Sequence, residues 1–199
     1  MASVATKSMT AEEFFAWRHL RENRFRYRGL ELVKGEIVEV PFQGELHEVI
    51  CANAAALLLP YTQQLGIGHV NCRHHPGLIV RRDPDIVREP HVALYLEGDP
   101  FKGITCDYSE HLPALVVEVL SQAAHWLRTL RRITEFQAIG VPLVWLVDPE
   151  DRSVTVFRKN TPYISFEKTD TLTGMDVLPG FHSIVSSFFH QPGFPRSYP

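Results

Sequence analysis

Glu118 is the residue of this sequence best placed to do chemistry, because it is a carboxylate inside an apolar run. Leu115, Val116 and Val117 precede it, and Val119 and Leu120 follow. Such a run reads as a strand buried on both faces. Burying an unpaired charge there costs several kcal/mol or forces protonation, so Glu118 is expected at a strand end facing a cation, an arginine, a lysine or a metal ion. Three readings are open: a functional site, a solvent-exposed strand end, or a structural ion pair with an arginine of the following helix, where Arg128, Arg131 and Arg132 lie. Other chemistry-bearing types are less persuasive. His74 and His75 are adjacent, but neighbouring strand side chains point to opposite faces and no second ligand cluster sits at zinc-site spacing. Cys51, Cys72 and Cys106 lie far apart and form no CxxC pair, which argues against a disulfide framework or a zinc ribbon and for a reducing compartment. The chain carries no glycine-rich phosphate loop and no GxSxG elbow.

The elements that must position Glu118 follow from patterning. Thr10 and Glu13 form a capping box before a short helix carrying Phe14, Phe15 and Trp17. Alternation from Phe25 to Pro41, with Gly35 at the turn, predicts a hairpin. Glu45 to Tyr61 has helical spacing, ended by Pro60. His69 to Asn71 and Gly77 to Arg81 read as short strands, RRDPDIVREP as turn-rich with Asp83 and Asp85 as turn residues, and His91 to Leu96 as a strand. Asp99 to Leu112 reads as an irregular connection. After the strand Leu115 to Leu120 comes a helix from Ala123 to Ile139, closed by Gly140. Trp126, Leu127, Leu130, Ile133 and Phe136 are its expected buried stripe, with Arg128, Arg131, Arg132 and Glu135 on the other side. Val141 to Val147 then completes a strand, helix, strand crossover, which normally gives parallel neighbours in one sheet. Ser153 to Arg158 is a further strand, Tyr163 to Phe166 an edge, and Leu178 to Phe189 a turn with a short helix.

With 199 residues, 45% hydrophobic and 22% charged, the chain suits a single domain, with residues 1–8 and 191–199 expected to be flexible. A formal net charge of −3 gives no global case for nucleic-acid binding, so any phosphate contact must come from a local patch. No apolar run approaches a membrane span and the N-terminus lacks a signal-peptide core, so a cytoplasmic protein with no membrane partner is expected.

The succession TAEEFFAW, LELVKGEIVEV, GELHEVICANAAALL, IVRRDPDIVREPHVALY, ALVVEVLS, EFQAIGVPLVWLVDPEDRSVTVFR and LTGMDVLPGF resembles the restriction-endonuclease family often called the Uma-two family, a branch of the PD-(D/E)XK nucleases. The resemblance covers nearly the whole chain in order. It implies an α/β fold of the restriction-endonuclease-like type, a mixed central sheet flanked by helices. It also implies DNA as partner and substrate, a divalent metal, Mg²⁺ or Mn²⁺, at the central strands, and by analogy with enzymes that cut both strands, a homodimer. In that family an Asp and a Glu on neighbouring strands hold the ion, which activates a water, and a helix lysine assists.

Residue by residue, Glu118 matches the strand carboxylate. His91 stands in Pro90-His91-Val92 where the family reads Pro-Asp-Val, and Arg132 stands where the helix carries its lysine. After Ser121 the usual Pro-Ser-Asp is Gln122-Ala123-Ala124, and the glycine after the early His47 is Glu48. A neutral imidazole in place of an anionic oxygen weakens a Mg²⁺ site and favours Mn²⁺, Zn²⁺ or no metal. Arginine keeps the charge but cannot exchange a proton near neutrality. The resemblance therefore implies Glu118, His91 and Arg132 as catalytic positions, Glu118 and His91 as the metal pair, and a weakened or inactive endonuclease. The alternative is a catalytically dead paralogue acting as a DNA-binding or protein-interaction module, with Arg128, Arg131 and Arg132 as its phosphate-contacting face.

Overall fold

Thr10 caps the first helix as its spacing predicts: its hydroxyl accepts the Glu13 N–H at 3.1 Å, and the Glu13 carboxylate accepts the Thr10 N–H at 2.9 Å. This helix, α1 (Ala11–His19), lies against a hairpin of β1 (Leu30–Val33) and β2 (Glu36–Glu39). Lys34 and Gly35 both take positive φ in the two-residue loop, the backbone such a tight turn demands. The computed structural model describes residues 8–20, 29–40, 43–72, 77–97, 112–121 and 126–191. His74, His75, Cys106, most of the Asp99 to Leu112 connection, the expected start of the helix at Ala123 and nearly all of both chain ends lie outside them.

The remaining elements run in order: α2 (Glu45–Leu65), β3 (His69–Cys72), β4 (Leu78–Arg81), β5 (Ile86–Arg88), β6 (Val92–Tyr95), β7 (Leu115–Val119), α3 (Trp126–Ala138), β8 (Leu143–Asp148), β9 (Ser153–Arg158), β10 (Ile164–Phe166), β11 (Thr171–Gly174) and β12 (Leu178–Ile184). A 3₁₀ turn, Val185–Phe189, follows. The six-stranded central sheet has the order β10-β9-β8-β7-β6-β3, with β7 and β8 parallel and every other pair antiparallel. The strand, helix, strand crossover therefore holds, and β6 is the other neighbour of β7. The fold is α/β with a mixed central sheet.

Alternation along β7 divides the core. Leu115, Val117 and Val119 pack with Ile50, Ala54 and Leu58 of α2 and with the C-terminal segment, while Val116 packs with Ile133 and Phe136 of α3 and with Leu78, Val80 and Ile86. Glu118 has the phase of Val116. It points into the layer between the central sheet, α3 and a second sheet of order β2-β1-β5-β4.

Four sequence expectations are corrected. Pro60 does not end α2, which continues to Leu65 and a left-handed Gly66. Pro60 is exposed, whereas Leu58 and Thr62 on either side are buried, so packing outweighs one missing backbone donor. RRDPDIVREP is turn at 82–85 as expected, but it also holds a strand that the patterning did not assign: Ile86–Arg88 forms β5, whose pairing with β1 and β4 builds the second sheet. Leu178 to Ile184 is a strand paired with β11, and only Val185–Phe189 is helical. The buried stripe of α3 is Thr129, Arg132, Ile133 and Phe136, while Trp126 and Leu127 are exposed. Among the described residues, no helix is long and apolar enough to cross a membrane.

Candidate functional site

The register of β6 on β7 pairs Val92 with Val117, and one further step brings His91 opposite Glu118. Glu118 is 1% exposed, and its neutralising partner comes from α3. Arg132 donates from Nε to Oε2 of Glu118 at 2.8 Å and from Nη2 to Oε1 at 3.1 Å, a bidentate pair. The same guanidinium donates through Nη1 to Oε1 of Glu31 on β1 and through Nη2 to the Glu89 carbonyl at 2.8 Å. Arg132 thus ties the two sheets together.

Glu31 is the second centre of this network. Its Oε1 also accepts the Glu89 N–H at 3.1 Å, and its Oε2 accepts from Nη1 of Arg88 at 2.8 Å. Arg88 in turn spans Glu135 of α3, through Nε at 2.7 Å and Nη2 at 3.2 Å. Burial alone would push the Glu31 carboxyl up, but Arg132 and Arg88 outweigh it and hold it below its ordinary value. For Arg132, burial works against the charge, and Glu118 and Glu31 hold the guanidinium above its ordinary value. Glu89 has the opposite fate: burial dominates, and although Arg18 lies 2.5 Å away its carboxyl is pushed up to about 7.

His91 is held from two sides. Its Nδ1 accepts the Val119 N–H at 2.9 Å and stands 3.3 Å from Nε2 of His47 on α2. Accepting from the backbone requires an unprotonated Nδ1, which places any ring proton on Nε2. His91 is then neutral, and its 3.8 Å approach to Oε2 of Glu118 is not a charge pair. His47 continues the chain, its Nδ1 standing 3.6 Å from the Cys51 sulfur. This Cys-His contact is no activated nucleophile, since burial pushes the thiol up and Cys51 is fully buried.

His91, Glu118 and Arg132 therefore meet at one place, and together with Glu31 and Arg88 they line a pocket of about 200 Å³. Arg128 and Arg131 line the same pocket from exposed positions on α3. Arg132, expected beside them on the outer face, is 8% exposed and turned inward. Asp85 is remote from this pocket: it accepts the Ala11 N–H at 2.8 Å and Arg82 at 2.9 Å, a structural turn. Glu31, Arg88 and Glu89 were not among the sequence-derived site residues. Glu31 carried the signal that singled out Glu118, an acid between two leucines on a strand.

The donor set does not fit a Mg²⁺ site. Both oxygens of Glu118 and both of Glu31 accept from guanidinium groups, and Nδ1 of His91 takes a backbone N–H. Among the described residues, no group of three or more His, Cys, Asp and Glu side chains is arranged to hold a metal ion.

Residues 11–186 match the model of the Uma2 family, described as "Putative restriction endonuclease". Among solved structures, a putative nuclease belonging to DUF820 from Anabaena variabilis ATCC 29413 is similar in fold, with a TM-score of 0.72 at 18% identity, over 91% of this chain and 97% of that one. No curated protein matches the sequence.

Proposed function

Because the chain belongs to the Uma2 family, we propose that it is a DNA-directed protein of the PD-(D/E)XK endonuclease type whose Mg²⁺-dependent cleavage is strongly weakened. One observation carries this reading: Arg132 holds Glu118 through two hydrogen bonds and Glu31 through a third. A divalent ion would have to displace a buried guanidinium from two carboxylates, at the cost of leaving that cation unpaired. Arg132 also cannot serve as a proton donor or acceptor near neutrality. DNA contact then falls to Arg128 and Arg131 at the edge of the pocket, where a cation can meet phosphate without leaving a buried partner. A two-fold dimer suits a partner with pseudo-two-fold symmetry, and sedimentation at micromolar concentration tests it.

The test pairs cleavage with binding. Supercoiled plasmid is incubated in turn with Mg²⁺, Mn²⁺ and Zn²⁺, and binding to a labelled duplex is followed over a range of salt. Little nicking is expected under conditions where duplex is retained, and Arg128→Ala and Arg131→Ala should each lower the salt slope by about one unit. Efficient Mg²⁺-dependent nicking by the wild-type protein overturns the loss of activity. Absence of binding even at low salt overturns the role in DNA contact.

A further inference from the structure

We propose that the outer face of α2 pairs with the same face of a second copy of the chain, antiparallel, about a two-fold axis between Ala52 and Ala56. The contact supplies a surface for a two-fold assembly and goes beyond the DNA reading, on which it does not depend.

Burial assigns the two sides of α2. His47, Ile50, Cys51, Ala54, Leu58 and Thr62 are buried, at the three- and four-residue spacing of one helical side. Turned half a circle from them are Glu45, Val49, Ala52, Ala56, Leu59 and Gln63, all exposed except the half-buried Val49. Leu59 is 47% exposed. These six residues recur at alternating steps of four and three, the repeat by which two helices pack along their length. From Val49 to Leu65, α2 carries no Asp, Glu, Lys, Arg or His, whereas the outer face of a solvated helix ordinarily carries charge.

What this face lacks and the order of its residues select the occupant. Without a cation it attracts neither DNA nor a lipid headgroup, and it offers a charged protein surface nothing to pair with. A two-fold contact sets a patch against itself, which charge would oppose and an uncharged seam permits. Read outward from the axis, the seam matches itself in both directions: Ala52 and Ala56, then Val49 and Leu59, then Glu45 and Gln63. Antiparallel pairing sets each member against the other from the second copy. The alanine layers let the two backbones approach closely, and a valine with a leucine fills the space on either side. At each rim the Gln63 amide is able to donate to a Glu45 carboxylate. Parallel pairing would set Glu45 against its own copy. The core contacts of α2 are with the side of the central sheet opposite to that from which Glu118 points, so the contact takes no residue from the Arg132 network.

A helix pair of about 30 Å lies at the low end of interface sizes, so a dissociation constant on the order of 10 µM is expected. Sedimentation of the full chain from about 1 to 100 µM should therefore show a dimer that forms with concentration. Ala56→Lys keeps a good helix former and brings two cations together near the axis, and should weaken the dimer by at least about ten-fold. Gln64→Lys, off the seam on the same helix, should leave it unchanged. In a Cys72→Ser, Cys106→Ser background, Val49→Cys mixed with Leu59→Cys should give a disulfide-linked pair on oxidation, and neither alone should. A monomer throughout, or a dimer that Ala56→Lys does not weaken, overturns the contact. Crosslinking of Val49→Cys with itself overturns the antiparallel order. Because Asn53 of α2 holds the carbonyls of Phe188 and His190, a chain ending at Gln191 is run beside the full one. If it pairs where the full chain does not, residues 192–199 occupy this face and the second copy does not. Duplex binding on the same samples separates the two readings. A dimer that retains no duplex upholds the contact and overturns the DNA reading, and a monomer that retains duplex does the reverse.

Discussion

Arg132 and Glu118 are joined by two hydrogen bonds, at 2.8 and 3.1 Å, across fourteen residues of chain, and both are almost wholly buried. The pair explains how a carboxylate is tolerated among valines. It also places a permanent cation where the family pattern implies a lysine near a metal ion. Glu31 makes the arrangement a network, because the same guanidinium spans to the second sheet.

Removing the cation alone should be costly. Arg132→Met leaves Glu118 and Glu31 buried without their shared partner, and a loss of about 3–5 kcal/mol is expected in chemical denaturation. Adding Glu118→Gln to that variant should return part of the loss, since the uncompensated charge is gone. If Arg132→Met is as stable as the wild type, the network carries no weight in folding.

Glu89 should give the protein a stability that declines toward neutral pH. Its folded value of about 7 lies above the ordinary 4.5, so between those values the folded protein binds more protons than the unfolded chain. Stability therefore falls as pH rises through that window and levels off above it, by roughly 2–3 kcal/mol. Glu89→Gln should flatten the dependence. Urea midpoints at pH 5 and pH 8 measure it, and equal slopes for variant and wild type would refute the assignment.

Cys51 should be chemically silent in the folded protein despite its contact with His47. The thiol is fully buried and pushed up chiefly by that burial, with Cys72 and the Glu118 carboxylate adding to it. In a Cys72→Ser, Cys106→Ser background, a thiol reagent should label Cys51 only after denaturant is added. Rapid labelling of the native variant would mean that the interior opens readily there.

What the sequence made legible and what it hid divide along one physical line. Patterning held where neighbours in sequence decide the outcome: the capping box at Thr10, the β1–β2 hairpin, the parallel crossover around α3 and the isolated charge at Glu118 all depend on residues close in sequence. Glu31 and Arg88 were missed because their partners are distant: Glu31 meets Arg132 one hundred and one residues away, and Arg88 meets Glu135 across forty-seven. Arg132 itself illustrates the limit, since spacing put it with Arg128 and Arg131 on the outer face. One helical step separates a solvated arginine from a buried one, and only the position of β1 and β7 decides which it is. Trp126 and Leu127 erred the other way, because composition cannot show where a sheet stops covering a helix.

Positions 91 and 132 can be given the residues that the sequence resemblance implies for them. In His91→Asp with Arg132→Lys, an oxygen ligand faces Glu118 from the adjoining strand and a titratable amine replaces the guanidinium. The pocket then holds a third carboxylate in place of a neutral ring near Glu118 and Glu31, with one shorter cation to balance them. Without metal this variant should be less stable than the wild type, because like charges are crowded in a buried site. With Mg²⁺ it should regain stability by mass action, giving a melting temperature that rises with Mg²⁺ concentration, which the wild type should not show. Cleavage of plasmid should rise by roughly 10²–10³-fold or more per restored group, the scale of single electrostatic contributions to catalysis. A variant that folds and gains stability from Mg²⁺ yet cuts nothing would separate the two halves of the reading: the metal position would stand, and descent from an active nuclease site would not.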